Sequence, residues 1–221
     1  MLSWLRSWLG LGSRAAAVQL ESEAADPIEE LRDQVRRDVA NGFLDEDAIL
    51  RGVSEIFEGD LDPALVEREA PRLLREAIAE HAEFERTWPA QTDCDRLEAA
   101  FAALEADGVI ARQNFSCCGT CGASEIWDEI EEARSEGRPA RGYAFFHMQD
   151  TESAVEGHGL YLNYGACEDG EAAAVAVGHE IVAALKERGL QTTWDGSHAM
   201  RIGVSLDWKK RRSRWPIALQ G

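Results

Sequence analysis

The sequence predicts an α+β protein: a helical N-terminal segment followed by a ferredoxin-like α/β sandwich. Three observations predict it. Residues 26–88 carry apolar side chains at helical spacing. After Gly108 the pattern changes to alternating and aromatic runs that suit strands. From there the elements read β-α-β-β-α-β with one further hairpin strand, the split βαβ plan.

The helical elements follow from their start and stop residues. Asp26-Pro27 places an N-cap before proline at the first helical position, with Glu29 as the third residue of a capping box. Ile28, Leu31, Val35 and Val39 form the apolar stripe, and Asn41-Gly42 ends it. A second helix starts near Asp45, carries Ile49, Val53, Ile56 and Phe57, and ends at Gly59. Asp62-Pro63 repeats the start signal for a pattern reaching Trp88, which Pro71 is expected to kink or divide. Thr92, with Asp95 three residues on, caps a helix whose inward face is Leu97, Ala100, Phe101 and Leu104.

The α+β part follows in the same way. Residues 109–115 read as a strand and 120–136 as a helix with Ile126, Trp127 and Ile130 inward. GYAFFHM (142–148) is a strand with apolar residues on both faces, which suits a covered position. GLYLNY (159–164) is another strand, and residues 171–188 form a helix closed by Gly189. Residues 190–194 and 200–208 flank Asp195-Gly196, a hairpin signal. The expected division is 1–20 as an amphipathic or frayed segment, 21–91 as the helical region and 92–221 as the α+β domain.

Composition narrows the function classes. The chain has 221 residues and a net charge of −18, concentrated in residues 21–107, where 25 acids face nine arginines. An acidic surface repels phosphate backbones, so general nucleic-acid binding is not expected. The basic run Lys209-Lys210-Arg211-Arg212, with Arg214 and the flanking Trp208 and Trp215, reads first as a solvated end that pairs with the acidic helical half, and second as a contact for RNA or anionic lipid. The apolar run in residues 1–12 is broken at Arg6 and Ser7, too short to cross a bilayer. It reads first as a helix docking on its own domain or a frayed tail, and second as a membrane-surface contact. Five cysteines is an odd number, three of them clustered, which points to a reducing, cytoplasmic setting rather than a disulfide framework.

The cluster is FSCCGTCG, residues 115–122. In a split βαβ unit the C-terminal ends of strands one and two and the start of strand three share one sheet edge. The cysteines are therefore expected to meet His147, Asp150 and His158, with Cys167 and His198 at the opposite edge. Four readings stay open. Cys118 and Cys121 have the spacing that grips one zinc ion, with His147 and His158 to complete a tetrahedron and Cys117 as an additional thiolate. The same C-x-x-C at a helix N-terminus suits a redox dithiol. Cys117 or Cys118 with His147, oriented by Asp150, suits a nucleophile. In the plainest reading the cysteines are small buried hydrophobes and Gly119 and Gly122 permit a tight turn. No pattern specifies a reaction, and the reading leans away from an enzyme. The expectation is a cytosolic binding or regulatory module with a Cys/His site for structural zinc. A thiol-dependent enzyme, or an interaction domain for a protein partner with no chemistry, are the alternatives.

NFSCCGTCG (114–122), RGYAFFHMQDTE (141–152), GLYLNYG (159–165) and GLQTTWDG…RIGVSLDW (189–208) together resemble an uncharacterised bacterial family, domain of unknown function 6891. The resemblance covers roughly residues 92–221 and implies the extent of a domain, not an activity.

Overall fold

The structure, a computed structural model, describes residues 26–212. The expectations for residues 1–20, including membrane-surface contact by residues 1–12, and for Arg214 and Trp215 lie outside the described residues. The described residues begin with three helices, α1 (Pro27–Asn41), α2 (Glu46–Ile56) and α3 (Pro63–Glu85). Asp26, Asp45 and Asp62 cap them, each accepting a backbone N–H. Leu31, Val35, Ile49, Val53, Leu73 and Leu74 fill a core of their own between these helices. Pro71 does not divide α3, which runs unbroken for 23 residues. The carbonyl that Pro71 deprives of a partner belongs to Glu67, an exposed residue, so water can satisfy it.

Helix α4 (Asp93–Ala106) carries the expected Thr92–Asp95 capping box and leads into β1 (Val109–Arg112), α5 (Gly119–Ser135) and β2 (Gly142–Phe145). Then come α6 (Met148–Val155), β3 (Leu160–Ala166), α7 (Glu171–Glu187), β4 (Gln191–Thr193) and β5 (Ile202–Ser205). The protein is therefore a mixed α+β fold of seven helices and a five-stranded mixed sheet, counted over the described residues.

The strand order is β1-β2-β3-β5-β4. A ferredoxin-like plan needs strand three between strands one and two, and that insertion is not what forms. β1 pairs directly and in parallel with β2, Val109 opposite Gly142 and Arg112 opposite Phe145. β3 lies antiparallel on the outer side of β2. Consecutive strands tend to neighbour one another, and β1, β2 and β3 do so in turn, whereas β5 rather than β4 lies beside β3. The expected strand 142–148 also ends early, because His147 opens α6.

The sheet is covered on both faces. On one, α4 and α7 bury Leu97, Phe101, Ile181 and Leu185 against Leu160, Leu162 and Val204. On the other, α5 lays Ile126, Ile130 and Ala133 over Ile110 and Phe145. The C-terminal basic run is a strap between the two parts of the molecule. Arg211 pairs with Asp95 at 2.7 Å, both only 13% exposed in their side chains. The Arg212 backbone N–H donates to Glu85, and its guanidinium donates to the Val39 and Leu44 carbonyls. Lys210 covers the Phe43 ring, and Trp208 donates to the Ala40 carbonyl. The pairing of Arg211 with Asp95 and of Arg212 with Glu85 agrees with the expected partner, but the run is packed within the fold rather than being a solvated end. His81 is buried beside Glu85 and the Lys210 carbonyl.

Candidate metal centre

The change in strand order preserves the edge that matters. Parallel neighbours β1 and β2 end on the same side, and antiparallel β3 begins there. The Phe115 N–H donates to the Phe146 carbonyl and the Met148 N–H to the Ser116 carbonyl, which ties the cysteine loop to the β2–α6 junction. The loop turns through two non-glycine residues in the left-handed region, Asn114 (φ 51°) and Ser116 (φ 62°). Such conformations cost of order 1–3 kcal/mol and persist where neighbours hold them. Here Thr151 of α6 donates its hydroxyl to the Asn114 side chain at 2.8 Å.

The glycines have a different role from the turn the sequence suggests. Neither Gly119 nor Gly122 has positive φ. Both face inward on the first turns of α5, but only Gly122 lacks room for a side chain. A Cβ on Gly122 would lie 2.5 Å from the buried Phe145 ring. A Cβ on Gly119 would lie 3.5 Å from His147 Nε2 and 3.7 Å from Asn163 Oδ1. The inward ladder continues through Ile126, Ile130 and Ala133. Helical spacing then leaves Cys118 and Cys121, three residues apart, to share a different face.

The sulfurs of Cys117, Cys118 and Cys121 lie within 4.8 Å of one another. Cys117 is exposed and the other two are half-buried, so none is packed as a core hydrophobe. Cys118 is the N-cap of α5. Its side chain makes no capping hydrogen bond, but the neighbouring Cys121 N–H, then the Cys121 thiol and the Thr120 N–H, hold its pKa below that of an ordinary thiol. Cys121 is pushed up to about 11, chiefly by its contacts with Cys117 and Cys118. One thiolate in this group opposes a second, and a bound cation removes that opposition.

The imidazoles divide. His147 caps α6 in a reciprocal box: its ring accepts the Asp150 N–H, and Asp150 accepts the His147 N–H. Its Nε2 lies 3.0 Å from Asp150 Oδ2. Burial lowers its pKa, the charge of Asp150 opposes that shift and Arg201 reinforces it. Arg201 also donates to Asp150 and to the Tyr161 carbonyl. His147 and Asp150 therefore lie beneath the cysteine loop, next to Gly119, but outside the three-sulfur group. His158, in contrast, has 71% of its side chain exposed and sits 3.7 Å from Glu156. Cys167 lies elsewhere, at the start of β2, where its N–H donates to the Arg141 carbonyl.

Two residues at this edge escaped the sequence reading. Asn163 follows Leu162 on β3, and Arg201 precedes Ile202 on β5, the partner of Leu162. They extend the register side by side, and Asn163 Nδ2 and Arg201 Nε are buried without a hydrogen-bond partner. The available signal was Asn163 itself, a polar residue within the apolar GLYLNYG strand.

Among the described residues no helix is long and apolar enough to cross a membrane. No curated protein and no solved structure matches the chain. A family model does, over residues 24–212, so it spans the helical part as well as the region of resemblance. The protein belongs to the family described as domain of unknown function 6891.

Proposed function

We propose that this protein is a cytosolic metal-binding module whose centre is the thiolate trio Cys117, Cys118 and Cys121, with zinc the first ion to consider. The observation that supports it is the mutual approach of three solvent-reachable sulfurs within 4.8 Å at a helix N-terminus. Tetrahedral zinc with sulfur ligands at about 2.3 Å sets sulfurs roughly 3.8 Å apart, so small side-chain rotations close the difference. Thiolates and a borderline-soft divalent ion suit one another, and the reducing cytosol keeps the ligands available.

Three protein ligands leave a fourth position. His147 is the nearby imidazole, and its lowered pKa keeps it neutral as a ligand must be. Its ring is engaged by Asp150, so direct ligation requires a rotation away from that carboxylate. His158 is too far into solvent to favour a part in the centre. The fourth site thus suits water or a donor from a protein partner, which makes a regulatory or carrier role the better fit than a closed structural site.

Metal analysis of the reduced full-length chain tests this reading. The expected result is about one equivalent of zinc, and cobalt substitution should give sulfur-to-metal charge-transfer absorption. Serine at any of the three cysteines should weaken binding by more than the roughly 10–100-fold that outer partners are worth. Less than about a tenth of an equivalent of zinc, under conditions that retain bound metal, overturns the proposal.

A further inference from the structure

We infer that the trio is also a site of peroxide oxidation: hydrogen peroxide converts Cys118 and Cys121 to a disulfide, and loss of these two ligands releases the metal. This inference rests on the metal reading above and adds the regulation of the same centre.

The geometry assigns separate roles to the three sulfurs. Cys118 and Cys121 stand three residues apart at the first turn of α5, and positions with that separation in a helix lie roughly 5 Å apart at Cα. That falls inside the 4.4–6.8 Å range, approximately, that disulfides span. Their sulfurs are already within 4.8 Å. Cys117 is adjacent in sequence to Cys118, so a bridge between those two closes a small strained ring. Cys117 therefore remains a thiol. Cys118, half-buried, is the N-cap of α5 and stands at the positive end of that helix, which suits it as the attacking sulfur. The seat beneath does not have to move, because Gly119 and Gly122 fix the helix start against His147 and Phe145 through a face that excludes the sulfurs.

The chemistry balances in two steps. The Cys118 thiolate attacks one oxygen of the peroxide; an S–O bond forms, the O–O bond breaks, and the second oxygen leaves as hydroxide, which a solvent proton turns to water. The Cys121 sulfur then attacks the sulfenic acid at Cys118. An S–S bond forms, the S–O bond breaks, and that oxygen leaves with the sulfenic proton as hydroxide, which a solvent proton turns to water, since the metal-bound Cys121 thiolate carries no proton of its own. Two electrons pass from the two sulfurs to one peroxide. A centre left with Cys117 alone has lost two of its three thiolates, and zinc departs. Cys94 takes no part, being buried and held by the Lys209 N–H.

The experiment treats zinc-loaded and zinc-free full-length protein with hydrogen peroxide, follows released zinc with a chelating dye, and maps disulfides by mass spectrometry. The inference expects about one zinc released per disulfide formed, with the bridge at Cys118–Cys121. Cys117→Ser should still form that bridge. Cys121→Ser should form none and should accumulate a sulfenic acid on Cys118 that dimedone traps. Retention of zinc by the loaded protein after peroxide, or a bridge through Cys117, overturns the inference while leaving the metal reading intact. If the untreated protein takes up no zinc, the metal reading fails, and the proposed release fails with it even where the zinc-free chain forms the bridge.

Discussion

Cys94 and the Cys117–Cys121 trio place the same side chain in opposite surroundings. Cys94 sits in the first turn of α4, 5% exposed, at the seam where the C-terminal strap crosses between the two parts of the fold. Its sulfur accepts the Lys209 N–H at 3.3 Å, and burial pushes its pKa up to about 12. The trio also stands at a helix start, yet Cys117 is exposed, its neighbours are half-buried, and the pKa of Cys118 is lowered. A helix N-terminus therefore does not make a cysteine reactive. Solvent access decides it: burial raises the one thiol, and access leaves Cys118 free to ionise.

The largest expected effect is in native alkylation. At pH 8 a thiol with a pKa of about 12 is ionised in roughly one molecule in ten thousand, and Cys94 is also shielded. Iodoacetamide applied to reduced, metal-free protein should label Cys118 at least about a thousandfold faster than Cys94. Peptide mapping at timed intervals checks this. Comparable native rates at the two sites would remove the distinction altogether.

Next in size is the seat of the trio. Gly122→Ala drives a Cβ to 2.5 Å from a fully buried phenylalanine ring, and such overpacking costs about 1–3 kcal/mol. Gly119→Ala meets only ordinary contacts at 3.5 Å and should stay within about 0.5 kcal/mol of the parent. Urea unfolding of the two variants separates them. Equal losses would mean that α5 is not seated through Gly122.

The same contrast explains what the sequence made legible. Helices α1 to α4 announced themselves because Asp26, Asp45, Asp62 and Thr92 act within three residues of the groups they cap. Helix α6 showed only as a cap or turn at Asp150, because its N-cap is His147, outside the usual capping set, with Asp150 completing the box. Strand order depends on pairings between distant segments, so identical local patterns fit both an inserted third strand and the observed β1-β2-β3 succession. The cysteine edge was legible because both arrangements bring the ends of β1 and β2 together. The polar floor was not: Asn163 and Arg201 come from different strands and meet only through the β3–β5 register. The glycines were misread for a related reason. The φ-positive turn fell to Asn114 and Ser116, and only the packed sheet shows that Gly122 is needed for space.

The smallest effects sharpen the comparison most, because they separate stability from chemistry. Cys94→Ala removes a buried sulfur and leaves the Lys209 N–H without its acceptor, for an expected loss of about 1–2 kcal/mol. Metal uptake should not change, since Cys94 is not part of the trio group. The triple change Cys117→Ser, Cys118→Ser, Cys121→Ser should shift the metal-free protein by no more than about 0.5 kcal/mol, because the positions are open to solvent and a serine N-cap is itself favourable. Paired denaturation and metal-binding measurements on the two variants give opposite patterns if the trio serves chemistry and Cys94 serves the fold. A triple variant that loses several kcal/mol without metal would instead make the trio part of what holds the molecule together, and its exposure would then need another explanation.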